Sequence, residues 1–192
     1  MSPSDDDIEE FLLSCRYGDL DDVKAFHSRF GDEAVACSRD DNGNTAVHMA
    51  CGNGHTDVLD FLLPHVPASL LAVQNATGST ALHWAALNAH IDVLKRLVDF
   101  AGGPGIDLID IKNLSGLSPL GVAEQVSFDE GAQYLVQMMR LDGGEEETAD
   151  TDAVVDPTQN VEVQIEDADG NLAKTTLGPV TKLPADGGTG VS

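Results

Sequence analysis

The sequence predicts an all-α fold, a solenoid of about four stacked helical repeat units with degenerate first and last members, followed by an acidic, largely disordered C-terminal tail. Three observations predict it. The run Gly43-Asn44-Thr45-Ala46-Val47-His48-Met49-Ala50 recurs 35 residues later as Gly78-Ser79-Thr80-Ala81-Leu82-His83-Trp84-Ala85. The likeness continues at the same offset, where Gly54-His55-Thr56-Asp57-Val58-Leu59 returns as Ala89-His90-Ile91-Asp92-Val93-Leu94. A period of this size belongs to units that bury their apolar faces only against one another. Beyond Arg140 the composition then changes: residues 142–192 hold no Phe, Trp, Tyr, Met or Cys, and twelve carboxylates face only Lys174 and Lys182. Such a segment has too little apolar surface to pack a core.

The elements follow in order. Residues 1–6 form an acidic extension, and 7–140 form the repeat domain, divided at about 7–37, 42–76, 77–111 and 115–140. Helices are expected over Ile8 to Tyr17 and Leu20 to Phe30 in the first unit, which carries Gly18-Asp19-Leu20-Asp21-Asp22-Val23 but lacks the Thr-Ala-x-His start. The second unit should place helices at Ala46 to Gly52 and Thr56 to Leu63, with Pro64 as the stop. In the third they fall at Ala81 to Leu87 and Ile91 to Phe100. The fourth unit keeps the turn in Gly116-Leu117-Ser118-Pro119 but puts Gly121 in the histidine position, and its helices are Pro119 to Gln125 and Asp129 to Met139. The links Pro64 to Gly78 and Ala101 to Gly116 read as loops, because Pro67, Pro104 and several glycines punctuate them. Within the tail at 141–192, Val161-Glu162-Val163-Gln164-Ile165 alternates as a strand would, and Asp169-Gly170 supplies a turn before Lys174-Thr175-Thr176-Leu177. That stretch reads as a transient strand in a solvated tail, as a marginal hairpin, or as a strand that forms only on a partner.

Thr45 and Thr80 stand where a hydroxyl caps the first helix of a unit, accepting a backbone N–H that would otherwise lack a partner. His48 and His83 recur at repeat positions, so they read as structural residues whose two ring nitrogens bridge backbone groups of adjacent units. His55 and His90 take the same reading at the turn between helices. His27 and His65 have no partner that the sequence indicates.

Charge excludes several functions. With 33 acidic against 10 basic residues, the formal charge is -23, which argues against a lysine- and arginine-built nucleic-acid surface and favours a basic protein partner. The start MSPSDDDIEE lacks the cationic region and apolar run of a signal peptide, and no apolar stretch reaches the length of a membrane span. Cys15, Cys37 and Cys51 are odd in number and read as small buried residues, Cys51 as the one with partial exposure, which points to an intracellular chain without a disulfide framework. No Cys-His spacing supports a zinc site or a nucleophile, and no glycine-rich phosphate loop with its lysine occurs, so neither an enzyme, a metal nor a cofactor is expected.

Binding remains, and the repeat geometry locates it. Met49 and Trp84 follow the repeat histidines and are expected to face the concave groove. Trp84, the sole tryptophan, reads either as a core residue between units or as an aromatic anchor for a partner. Asp40, Asp41 and Asn44 cluster at the turn into the second unit, and Asn53 and Asn88 hold corresponding late positions on the inner helices. These seven residues form the candidate partner surface, and an acidic groove would steer a basic segment toward it.

The motifs Thr45-Ala46-Val47-His48-Met49-Ala50 and Thr80-Ala81-Leu82-His83-Trp84-Ala85 resemble the ankyrin-repeat signature Thr-Pro-Leu-His-x-Ala. The resemblance goes further. An acidic start, an Ile8-Glu9-Glu10-Phe11-Leu12-Leu13 first helix, two strong repeats, a weak last one and the acidic tail together resemble the fungal ankyrin-repeat chaperones that serve the KH-domain ribosomal protein of the small subunit, over Asp5 to about Ile165. The resemblance implies a monomeric escort, cytoplasmic and nuclear, that shields the basic surface of its newly made client. It implies no direct nucleic-acid or membrane partner. The departure from the repeat is Ala89, which stands where the repeat carries glycine. The competing expectation is a generic ankyrin adaptor for an apolar or neutral peptide in signalling or degradation.

Overall fold

The computed structural model describes residues 2–142, 161–166 and 172–177, and these fall into two units, Met1–Glu145 and Glu146–Ser192. In the first, helix pairs stack in register. The inner row is α1 (Asp5–Tyr17), α3 (Ala46–Asn53), α5 (Ala81–Leu87) and α8 (Pro119–Gln125), each packed on the next. Behind it stand α2 (Leu20–Cys37), α4 (Thr56–Leu62), α6 (Ile91–Val98) and α9 (Asp129–Asp142). One short helix, α7 (Asp107–Asp110), lies in the link before the fourth unit.

Local chemistry sets the starts and stops. Ser4 and Asp7 form a reciprocal capping box, with the Asp7 N–H on Ser4 Oγ at 3.2 Å and the Ser4 N–H on Asp7 Oδ2 at 2.9 Å. Helix α1 therefore begins at Asp5, inside the segment expected as an extension, because three acidic residues in a first turn favour the helix dipole. In the second and third units Thr45 and Thr80 cap α3 and α5, and the box is completed by His48 and His83 instead of a carboxylate. The fourth unit has Gly121 there, so Ser118 caps α8 alone, with Pro119 preset at its first turn.

Several boundaries differ from expectation for physical reasons. Helix α2 does not stop at Phe30 but kinks at Gly31 and resumes to Cys37. Pro64 does not close α4 abruptly: the chain tightens into a 3-10 turn over Leu63–His65. The two links expected as loops carry a second 3-10 turn (Ala68–Ala72) and α7, which bury Leu70, Leu71, Leu108 and Ile109. Apolar residues thus override the turn formers around them. Helix α6 ends at Val98, before Phe100, and α9 runs to Asp142, past the boundary set at 140.

The core is continuous along the stack, from Phe11, Phe26 and Val35 through Leu59, Leu62, Leu82 and Leu94 to Ala123 and Leu135. Cys15 and Cys51 are fully buried, and burial pushes both thiols up; Cys37 is the exposed cysteine, which reverses the expected assignment for Cys51 and Cys37.

In the second unit, β1 (Val161–Glu166) pairs antiparallel with β2 (Leu172–Leu177), Val161 opposite Leu177 and Glu166 opposite Leu172. Of the three readings of the alternating stretch, the hairpin is the one observed, and its first strand extends one residue beyond 165. The other tail positions, 143–160, 167–171 and 178–192, on which the expectation of disorder rests, lie outside the described residues.

Candidate functional site

The groove is formed by the inner helices and the tight turns that project before them. Each turn is built alike. Asp40 Oδ1 accepts the N–H groups of Asn42 (2.9 Å) and Asn44 (2.7 Å); Asn75 Oδ1 accepts those of Thr77 (2.9 Å) and Ser79 (3.0 Å); and Asn113 Oδ1 accepts those of Ser115 (3.0 Å) and Leu117 (3.1 Å). Gly43, Gly78 and Gly116 take the left-handed conformation at which the turns reverse. Adjacent turns are tied edge to edge, Ala76 N–H to Asn42 O at 2.8 Å and Leu114 N–H to Thr77 O at 3.0 Å.

His48 and His83 fix each turn on the preceding helix. The Thr45 N–H points at His48 Nδ1 (3.3 Å), which leaves Nε2 to donate to the Ser79 carbonyl at 3.0 Å. His83 repeats this on Thr80 and the Leu117 carbonyl, at 3.1 Å each. Burial holds both imidazoles below their ordinary pKa, offset in part by the carbonyl each one faces. These two histidines are structural bridges, as their recurrence predicts. His55 and His90 serve the same stack: each ring lies where a Cβ on Gly18 or Gly54 would intrude, at 2.6 and 2.7 Å from Nδ1 respectively, and His55 Nε2 reaches the Arg16 carbonyl at 2.9 Å.

All seven residues singled out from the sequence line this concave side. A depression of about 310 Å³ is bounded by Asp40, Asn44, Met49, Asn53, Trp84 and Asn88. Asp41 joins Asp40 and Met49 in a neighbouring one of about 460 Å³. Their roles divide. Asp41 is exposed, while Met49, only 8% exposed, forms floor. Asn44 is buried, its amide donating to Asp40 Oδ2 (2.8 Å) and its carbonyl receiving Asn75 Nδ2 (2.8 Å), so it holds turns together. Asn53 donates to the Met49 carbonyl at 2.9 Å, and Asn88 crosses the seam to the Gly52 carbonyl at 2.7 Å.

Trp84 takes the first of its readings, packed between units. One edge of the indole packs over Gly52, where a Cβ would lie 2.5 Å from Cε3, and meets His48 edge-on at 5.8 Å. The ring is nonetheless half-buried and borders two depressions, so it is seated by the core and presented to the groove.

The groove is electrostatically uneven. At the end over the first two units, Asp5, Glu9, Asp40 and Asp41 stand with Arg16 and Arg39, and the Arg39 guanidinium is turned to the carbonyls of Ala36 and Ser38 at 2.7 and 2.8 Å. At the other end, about 490 Å³ is lined by amides, hydroxyls and apolar groups including Asn75, Trp84, Leu87 and Asn113, with no carboxylate or cationic side chain. The sequence reading missed Asp5, Glu9, Leu13 and Arg16. The signal was present: Asp5, Glu9 and Leu13 recur at every fourth residue, on one face of α1. Only Asp5 falls in the segment expected as an extension; Glu9, Leu13 and Arg16 lie on the expected first helix. The reading also missed a meeting of His27 and His65 with Asp32 behind the stack.

A row of helix pairs with capped ends, a continuous core and a concave groove defines a helical-repeat module for binding other proteins. The chain belongs to the ankyrin-repeat family: the family profile for ankyrin repeats (3 copies) matches residues 11–110. An ankyrin repeat-containing protein of Schizosaccharomyces pombe is 33% identical over 150 residues, 78% of this chain and 98% of that protein. Among solved structures, a chain in the crystal structure of the yeast ribosomal protein Rps3 in complex with its chaperone Yar1 is similar at 30% identity and a TM-score of 0.65, covering 70% of this chain and 95% of that one. The resemblance carried by the repeat motifs and the first helix agrees with these likenesses. None of the described helices is long and apolar enough to cross a membrane.

Proposed function

We propose that this protein is a dedicated escort of a newly synthesised, basic small-subunit ribosomal protein of the KH-domain kind, which it binds and shields in the cytoplasm and accompanies to the nucleus. The observation that carries the reading is the pairing, in one groove, of an acidic end with the half-buried Trp84 at its boundary with an uncharged end. The likeness to a chain of the Rps3–Yar1 complex supports it.

The mechanism uses charge and shape without covalent chemistry. A free ribosomal protein rich in lysine and arginine binds nucleic acid indiscriminately, and an acidic surface competes for those cations until rRNA offers a stronger site. The carboxylates of Asp5, Glu9 and Asp41 steer the client, while Trp84 and the uncharged end provide desolvated contact that sets lifetime. Asp40, Asn44, Asn53 and Asn88 act by keeping the groove in shape, and Met49 forms its floor. The acidic tail, tethered to the same client, raises affinity by effective concentration.

The test is to isolate the tagged full chain from its native cell at moderate salt, identify stoichiometric partners, and reconstitute the leading complex. A one-to-one complex with a basic small-subunit ribosomal protein, weakening steeply with salt and keeping the client from aggregating, supports the escort. Trp84→Ala should weaken that complex by tenfold or more, and Asp41→Asn should chiefly lower the on-rate and the salt slope. A stoichiometric signalling protein or an uncharged peptide ligand would overturn the reading in favour of an adaptor served by the uncharged end.

A further inference from the structure

Behind the stack, two histidines of different repeat units converge on one carboxylate. Asp32 Oδ1 lies 2.6 Å from His27 Nε2 and 3.0 Å from His65 Nδ1. The two rings are 4.1 Å apart centre to centre, and Phe61 backs both, edge-on to His27 at 5.5 Å and tilted against His65 at 4.8 Å. All three donor atoms fall within 4.8 Å of one another.

A straight helix would not produce this. Residues 27 and 32 are five apart, which at about 100° per residue puts their side chains on different faces. The kink at Gly31, with φ 81 and ψ 179, turns the chain so that Asp32 comes back beside His27. That backbone region is open essentially to glycine alone. Nothing lies within 4 Å of where a Gly31 Cβ would stand, so the backbone conformation and not crowding requires the glycine. Across the seam, the 3-10 turn Leu63–His65 delivers the second imidazole.

We propose that His27, Asp32 and His65 form a binding site for a divalent transition cation of the zinc class. Two imidazole nitrogens and one carboxylate oxygen are a donor set for zinc, cobalt or nickel, whereas magnesium and calcium favour oxygen-only shells. Tetrahedral coordination at about 2.0–2.2 Å needs donor atoms roughly 3.3–3.5 Å apart, a small rearrangement of the present cluster. Each ring now points one nitrogen at Asp32; on loading, that nitrogen presents its lone pair to the cation and the ring proton resides on the nitrogen facing away. The side chains are 22%, 66% and 31% exposed for His27, Asp32 and His65, so the cation has a path in and a position for water as a further ligand. The strongly acidic chain raises the local cation concentration. Bound there, the cation clamps the first unit to the second and stabilises the folded chain over the unfolded one.

The test uses the untagged full chain titrated with zinc against a chromophoric chelator in excess magnesium, with cobalt absorption reporting the ligand field. One saturable equivalent per chain is expected, weakened tenfold or more in each of His27→Gln, His65→Gln and Asp32→Asn, and unchanged in Cys37→Ser. Zinc should raise the unfolding midpoint of the parent chain but not of the variants, each first shown by circular dichroism to keep its helix content. Absence of a saturable equivalent over magnesium, or equal uptake by the His27→Gln/His65→Gln double variant, overturns the proposal and leaves the cluster as a hydrogen-bonded clamp.

Discussion

Between the second and third units the buried His48 ends on the Ser79 carbonyl, the more open Asn88 amide and Ala76 N–H end on the Gly52 and Asn42 carbonyls, and the exposed Asp60–Arg96 pair joins α4 to α6. Between the first and second units the inner contact is the half-buried His55 on the Arg16 carbonyl, and behind it His27, His65 and Asp32 meet side chain to side chain. The first unit has no Thr-Ala-x-His run, so its turn cannot be locked to the next in the way the others are. The contrast teaches that a repeat stack holds together by one buried device used twice, while its end is fastened by whatever groups the cap supplies. Energetically the two are unequal, because a buried polar bridge is expensive to leave unmade and an exposed ion pair is screened.

The strongest way to break the contrast is His48→Ala. It removes a fully buried ring and leaves the Ser79 carbonyl and the Thr45 N–H without their partner, in a structure where every buried side-chain polar atom among the described residues has one. Urea unfolding should show a loss of about 2–4 kcal/mol. His55→Ala, at the first seam, should lose less, about 1 kcal/mol. If the two losses were equal, the distinction between the seams would fail.

Gly54→Ala comes next. Its φ is +80 and an added Cβ would lie 2.7 Å from His90 Nδ1, so the cost should be about 1–3 kcal/mol in the same assay. Acidification sharpens the comparison without mutation. Burial holds His48 and His83 below their ordinary value of 6.5, so the unfolded chain takes up protons first as pH falls. Their contribution is complete above about pH 6.5 and is lost below it. The unfolding midpoint should therefore drop between pH 7 and pH 5. Asp7 and Asp32, held below the ordinary 3.8 by their hydrogen bonds to Ser4 and to His27 and His65, withdraw their support only at more acidic pH. A midpoint flat from pH 7 to pH 5 would show that the two bridges do not govern stability.

Ala89→Gly should act in the opposite direction. Ala89 sits at φ 58 where the first two units use Gly18 and Gly54, and relieving that conformation should stabilise by about 0.5–1 kcal/mol. Gly18 and Gly54 each face a histidine of the next unit; the fourth unit has Phe128 after Ser127 instead, its ring lying over Gly131 of its own helix. The departure from glycine at Ala89 thus coincides with the loss of the histidine it would face. Smallest of all, Asp60→Asn, which breaks the exposed pair with Arg96 between α4 and α6, should change stability by no more than about 0.5 kcal/mol.

Much of the site was legible because repetition exposes it. Residues at the period of the stack, Met49 with Trp84 and Asn53 with Asn88, announce their side of the helix by recurring, and they line the groove together with Asp40, Asp41 and Asn44 of the turn. What repetition could not reveal was which of them hold the groove and which present it. Met49 and Trp84 hold the same repeat position, yet one is buried as floor and the other half-open on Gly52. The face of α1 is equally legible from its spacing, with Asp5, Glu9 and Leu13 four residues apart, although Asp5 falls in the segment expected as an extension.

By itself the sequence determined the unit, its period, the caps at Thr45 and Thr80, the acidic balance and the family, since each of these depends on residues near one another in the chain or repeated along it. The tertiary structure alone decided the uneven charge of the groove, the seating of Trp84, and the joining of His27 and His65 on Asp32. Those depend on how far one unit advances past the next and on a single backbone kink at Gly31. A linear pattern carries no measure of either, because residues 38 apart meet only after the stack has formed.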